Sequence, residues 1–328
     1  MLHYQSCIQY TSDEKSWNLW QKFIIQNLIP QKGDYRKMNE QNVTAGFNAP
    51  ASLVQAKISE GKAKTEMPVW KVLLLGIFAG MFIAFGASSS SLAIHAIENP
   101  GVAKLIAGLI FPVGLMMIVF VGGELFTGDC MMLMGNLHKK YNALSMIRVL
   151  VLVYLSNLVG SVIIAALVYF SGQLDMSAGL LGAFTIKVAY GKAALPFSRA
   201  LFSGILCNIL VCVAVLMAGA AKDIAGKVFA ILFPIMAFVI GGYEHCVANM
   251  YYIPAGLMAL SNDTYKQAAM NAYGYTEAQL AALSLKGFFI NNLIPVTIGN
   301  IIGGMIFVSI PLYLLHKKAV HNLSLIHI

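Results

Sequence analysis

Charge is what this sequence has least of. Only 11% of its 328 residues are Asp, Glu, Lys or Arg, where soluble domains carry roughly a quarter, and the mean hydropathy of +0.72 excludes a water-soluble core as the destination of its apolar residues. Cysteine is sparse too. The five are Cys7, Cys130, Cys207, Cys212 and Cys246, an odd number without a C-x-x-C pair, so neither a disulfide framework nor a zinc site is expected, and the four in apolar runs read as small hydrophobes. No H-E-x-x-H and no Ser/His/Asp set is evident near those runs, so a membrane enzyme is disfavoured and no cofactor is expected. The paired Asn-Pro-Ala motifs of water and glycerol channels are missing as well. The formal net charge is +8, yet no long basic run with interleaved aromatics exists, which removes nucleic acid as a partner.

What the chain has instead is long apolar runs. A bilayer core about 30 Å thick needs about 20 apolar residues per helix, and six stretches qualify: 69–95, 104–135, 143–171, 196–220, 227–260 and 287–315. Lys57, Lys62 and Lys64 precede the first, His138, Lys139 and Lys140 follow the second, Lys222 and Lys227 follow the fourth, and Lys317 and Lys318 follow the sixth. The other side holds fewer cations, Lys104, Lys187, Lys192 and Lys266, mixed with Glu98, Asp175, Asp263 and Glu277. By the positive-inside rule both termini are expected in the cytoplasm, of a multi-pass protein of the cell membrane. The expected organisation is a polar N-terminal extension over 1–37, a cytoplasmic lead-in over 38–68, a transport domain over 69–316 and a cytoplasmic tail over 317–328. The extension carries Trp17, Trp20 and Phe23 in a segment suited to an interfacial amphipathic helix; it lacks the features of a signal peptide and reads as dispensable for transport.

The chain also repeats itself. Gly76-Ile-Phe-Ala-Gly80 is echoed by Gly204-Ile-Leu-Cys-Asn208. Phe111-Pro112 leading to Gly122-Gly123-Glu124 is echoed by Phe233-Pro234 leading to Gly241-Gly242-Tyr243-Glu244, and Ser156-Asn157-Leu158-Val159-Gly160 by Gly299-Asn300-Ile301-Ile302-Gly303. The order is the same in both halves, and each half crosses the membrane three times, so the second is expected to be inverted relative to the first. Inverted repeats place solute paths near the midplane beside interrupted helices. Spans 2 and 5 carry the double glycines and are the expected breaks. An ionisable residue at that depth is a functional candidate by default; the two breaks would bring Thr127 and His245 toward the same central zone, with Glu124 and Glu244 read as structural acceptors of hydrogen bonds between helices or subunits. Asn157, Asn208, Asn249 and Asn300 read as polar links between helices.

Three motifs carry a resemblance. Glu124-Leu-Phe-Thr127, Gly242-Tyr-Glu-His-Cys-Val-Ala-Asn-Met-Tyr251 and Asn292-Leu-Ile-Pro-Val-Thr-Ile-Gly-Asn-Ile-Ile-Gly-Gly304 resemble the signatures of the formate/nitrite transporter family, over about residues 45–316. The resemblance implies an aquaporin-like fold and a homopentamer with a pore in each protomer. It matches His245 to the family's central pore histidine, Thr127 to its partner, Asn208 to the pore asparagine and Lys192 to the lysine of an electropositive outer vestibule. Phe111, Leu115, Leu125, Phe126 and Phe238 match the apolar constrictions, with Glu124, Glu244 and Asn249 in support. The implied partners are the lipid bilayer and a small anion. Formate is favoured by the aromatic constrictions over nitrite, hydrosulfide or a short carboxylate, and a neutral solute is the remoter alternative. From sequence two mechanisms stay open: His245 donates a proton to the entering anion, or it stays neutral and supplies only a hydrogen bond.

Overall fold

In the structure, a computed structural model, residues 46–326 are described; the N-terminal extension with Trp17, Trp20 and Phe23 lies outside them. The membrane domain is the compact unit that starts at Asn48. Its elements in chain order are α1 (Pro50–Glu66), α2 (Val69–Ile94), α3 (Pro100–Ile110), α4 (Val113–Val121), α5 (Phe126–Asp129), α6 (Leu133–Leu137), α7 (Ala143–Phe170), α8 (Leu180–Ala193), α9 (Phe197–Ala220), α10 (Ile224–Gly241), α11 (Cys246–Leu260), α12 (Asp263–Tyr273), α13 (Glu277–Leu280), α14 (Ile294–Ile302) and α15 (Ile310–Ile326). Among the described residues six helical segments are long and apolar enough to cross a membrane. The protein is an all-helical, multi-pass membrane protein. At 28 residues, α7 is roughly 42 Å long at 1.5 Å per residue, and must tilt to fit a core of about 30 Å.

Helix boundaries follow local chemistry. Asn142 and Asp223 cap α7 and α10 by accepting hydrogen bonds from the Ser145 and Gly226 N–H groups at 2.8 and 2.7 Å, satisfying donors that a helix start leaves open. The last span is less regular: π-helical turns at Gly287–Leu293 and Gly303–Ser309 flank α14.

Two packing pairs dominate, α2 against α7 and α9 against α14. Glycine permits both. A Cβ on Gly80 would collide with the backbone of Asn157, and one on Gly204 with the carbonyl of Val296, so backbones approach as closely as small residues allow in membrane helices.

The stretch before the first span is helical over most of its described length. It forms α1, started by Pro50 at its first turn and rich in Ala, Lys and Glu, all favourable to helix. Ala51, Val54, Ile58 and Gly61 are buried at a spacing of three or four, one helical face. That face packs in a cluster with Met131, Met134, Leu216 and Val308, docking α1 on α6 and α15. Helix α8, which leads into α9, packs on α11 and α12. At the other end α15 runs from Ile310 to Ile326.

Candidate functional site

Two of the apolar runs are interrupted. The first stops at Val121 and resumes at Phe126, with Gly122 at φ +102°; the second stops at Gly241 and resumes at Cys246, with Gly242 at φ +67°. Positive φ favours glycine at these two positions. The residues before the new helices, Leu125 (φ −107°, ψ 119°) and His245 (φ −113°, ψ 116°), are both extended.

A buried chain end at membrane depth needs its polar groups satisfied, and one asparagine does this at each break. Asn157 donates from Nδ2 to the carbonyls of Gly76 and Glu124, at 2.8 and 2.9 Å, and accepts at Oδ1 from the Phe126 N–H at 3.0 Å. Asn300 donates to the carbonyls of Gly204 and Glu244, at 2.8 and 3.0 Å, and accepts from the Cys246 N–H at 2.9 Å. The same three bonds recur on matching residues. Both asparagines are fully buried.

Each break is also met by a lysine from the helix that precedes a half. Lys192 of α8 donates to Glu244 Oε1 at 2.8 Å; Asn249 Nδ2 donates to Glu244 Oε2 at 2.6 Å, and Asn292 joins at 3.3 Å. Lys64 of α1 lies 2.5 Å from Glu124 Oε2 and 2.5 Å from Asp129 Oδ1. Lys64 and Lys192 are 128 positions apart, as Gly76 and Gly204 are, and Asp129 and Asn249 are 120 apart, as Glu124 and Glu244 are. Burial opposes the charge on Lys64, but Asp129 and Glu124 outweigh it and hold the ammonium above the ordinary lysine pKa.

The two broken helices meet at His245 and Thr127, both buried, with Nε2 and Oγ1 3.0 Å apart. The other ring nitrogen, Nδ1, accepts from the Ala248 N–H at 3.1 Å and caps α11. A backbone N–H can only donate, so Nδ1 carries no proton, and the imidazole is the neutral tautomer with its hydrogen on Nε2, directed at Thr127.

Two cavities approach this pair. One of about 210 Å³ is lined by Lys192, Lys104, Phe111, Phe238 and His245. The other, of about 460 Å³, is lined by Lys64, Glu124, Asp129, Leu115 and Leu125. The rings of Phe111 and Phe238 meet edge to face at 5.4 Å, and Phe238 lies 6.1 Å from the imidazole. Apolar side chains thus stand on either side of one neutral polar pair.

Several sequence-derived placements change in detail. Phe126 lines neither cavity; its ring packs edge to face on Tyr154 at 4.8 Å. Asn208 lines neither either. Its amide donates to the carbonyls of Thr127 and Asn300, at 3.1 and 2.7 Å, so it holds the backbone beside the pair. Lys192 is no bare charge at a mouth, because Glu244 neutralises it and the Tyr252 ring lies 5.2 Å from its ammonium. Lys64, Asp129 and Asn292 were not singled out by sequence reasoning. The repeat spacing carried the signal for the first two, since each stands in register with Lys192 or Asn249. Among the described residues no group of His, Cys, Asp or Glu has the arrangement of a metal site.

The chain is similar to proteins of known family. The family model "Formate/nitrite transporter" matches residues 51–314. A probable formate transporter of Methanothermobacter thermautotrophicus is 38% identical over 283 residues, covering 81% of this chain and 96% of its own. A solved pentameric formate channel with formate bound is 34% identical with a TM-score of 0.66, over 76% of this chain and 98% of that one. An ion channel of the same family is 26% identical with a TM-score of 0.67, over 80% and 98%.

Proposed function

This chain belongs to the formate/nitrite transporter family, and from that membership and the geometry of its centre we propose its function. It is a transmembrane channel for formate and similar small monovalent weak acids, which cross its centre as the neutral acid. The observation that carries this reading is the neutral His245–Thr127 pair between apolar rims.

A bare anion passing Phe111, Phe238, Leu115 and Leu125 loses hydration that those side chains cannot replace, at a cost of several kcal/mol. Protonating a carboxylate of pKa about 4 at pH 7 costs about 4 kcal/mol. The two are comparable, so the centre decides between them. A neutral imidazole and a hydroxyl offer one donor and one acceptor and no countercharge, which suits the O–H and C=O of an acid better than an anion. Because the Nδ1 lone pair is held by the Ala248 N–H, His245 has no second proton to give. We therefore favour the hydrogen-bonding role for His245 over the proton-donor role, and assign protonation of the entering solute to water in the cavities. Thr127, held by Asn208 through its carbonyl, completes the central pair.

The same reading places the Lys192 cavity outside and the Lys64 cavity inside the cell, with cytoplasmic termini, and treats the halves as an inverted repeat. The matched Asn157 and Asn300 clamps and the matched lysine stations support that repeat. Assembly as a homopentamer is supported by the solved pentameric relative. The Lys192 and Lys64 stations act as polar mouths of the path, with Glu244, Asn249, Glu124 and Asp129 setting their net charge.

The test is solute flux into proteoliposomes holding the purified protein. Formate should enter fast and faster at acid pH; nitrite and hydrosulfide, being weak acids or their anions, should enter to a measurable degree, and glycerol at the rate of protein-free vesicles. Glycerol entry at or above the rate of formate would assign the path to neutral polar solutes and sink the reading.

A further inference from the structure

The two lysine stations match at the lysine and the glutamate and differ at the third position, and Asn292 additionally donates to Glu244 at the Lys192 station. At the Lys192 station the ammonium pairs with one carboxylate, Glu244, whose other oxygen accepts from the neutral amide of Asn249; formal charges cancel. At the Lys64 station the matching position is Asp129, so one ammonium faces two carboxylates. Two oxygens each 2.5 Å from one nitrogen lie no more than about 5 Å apart, a separation at which like charges in a partly dry site repel strongly.

Asp129 is 2% exposed, and among the described residues its Oδ2 receives no hydrogen bond, as Oδ1 of the matching Asn249 receives none, but here the unpaired oxygen belongs to a second carboxylate, while Glu124 Oε2 lies 2.5 Å from the Lys64 ammonium. Buried carboxylate oxygens without donors are uncommon and call for an explanation. The charged and titratable neighbours do not supply one. From α1, Lys57 is paired with Glu60 at 2.6 Å; from α10, Lys227 lines the cavity; the Tyr141 hydroxyl donates to the Met132 carbonyl; the Cys130 and Cys212 thiols donate to the carbonyls of Phe126 and Thr127 or to Asn208.

We propose that Glu124 and Asp129 hold one proton between them, making the Lys64 station a proton-binding site that the Lys192 station lacks. One proton supplies the missing donor and brings the formal charge of the station from −1 to zero. Lys64 does not serve as the titrating group, since its two carboxylate partners keep it charged. Resting on the transport reading above, the consequence is directional. As pH rises on the Lys64 side the shared proton leaves, the mouth turns net negative, and a small anion is repelled from that face beyond what its own ionisation accounts for.

The test substitutes Asp129→Asn, which installs the Lys–Glu–Asn set already present at the other station and so has a folded precedent in the same molecule. Difference infrared spectra of the full-length protein in lipid should show a protonated-carboxyl C=O band that disappears as pH is raised and is missing from the variant. Glu124→Gln should remove the same band, which keeps the test decisive if Asp129→Asn is poorly folded. In oriented proteoliposomes Asp129→Asn should also lose the extra pH dependence on the Lys64 side, and Asn249→Asp should create one on the Lys192 side. No band at any pH, a band that survives both substitutions, or unchanged pH dependence in Asp129→Asn would overturn the proposal. A band with the expected Asp129 dependence in a protein that moves no formate would leave the proton site standing and remove the transport reading instead.

Discussion

Replacing Phe111 and Phe238 together by alanine should convert flux without current into flux with current. These rings meet at 5.4 Å and line the Lys192 cavity together with His245, and on the proposed reading they bar a hydrated anion from passing beyond that cavity. With both truncated, water follows the solute to the imidazole, and the dehydration penalty of several kcal/mol that excludes the anion falls away. Since each 1.4 kcal/mol is tenfold in rate, the anion current in planar bilayers should rise by on the order of a hundredfold, while Phe111→Ala alone should give an intermediate value. Cavity-making substitutions also destabilise, so the variants must first show an intact size-exclusion profile. A double variant that is intact and still carries no current would mean that these rings are not the barrier to charge.

Asn300→Ala should unfold the centre. The side chain satisfies the carbonyls of Gly204 and Glu244 and the N–H of Cys246, and its full burial leaves water no access to replace it. At about 1–3 kcal/mol for each buried group left unpaired, the loss is several kcal/mol, a large part of the roughly 5–15 kcal/mol that holds a protein folded. Thermal unfolding of the detergent-solubilised variant should come at far lower temperature than that of the parent, or the variant should fail to accumulate. Asn157→Ala should behave alike, because its three bonds are the same. A melting temperature close to that of the parent would show that the clamp is dispensable.

Much of the fold was legible in the sequence because the bilayer imposes simple rules. Length and apolarity located six spans, the double glycines Gly122-Gly123 and Gly241-Gly242 marked the interruptions, and an intramembrane histidine stood out as costly unless used. Motif resemblance supplied Thr127 as the partner of His245, and the two do meet. Other features were hidden for physical reasons. Helix α1 is polar along most of its surface, and only Ala51, Val54, Ile58 and Gly61 betray a buried face, so composition alone does not reveal that it docks on the membrane domain. Lys64 was one of several cations ahead of the first span and was counted toward topology. Only three-dimensional docking of α1 brings it to Glu124. The roles of Asn157, Asn208 and Asn300 depend on which carbonyls lie within reach, and no one-dimensional pattern encodes that. The protonation state of His245 was open for the same reason: it is decided by the Ala248 N–H, a backbone group.

A solute that carries its own proton past a histidine that stays neutral leaves a distinct signature. It is read by measuring formate uptake, external pH and membrane potential together in proteoliposomes, for the parent protein and for His245→Asn. One proton should be taken up with each formate, without change of potential, in the parent. The same stoichiometry is expected in His245→Asn, where the asparagine oxygen can still cap α11, with a rate lowered about two- to tenfold for one weakened hydrogen bond. A parent whose formate uptake drives the potential, or a variant that keeps its flux but loses the accompanying proton, would contradict the neutral-histidine mechanism and make the imidazole itself the proton donor or the protein an anion conductor.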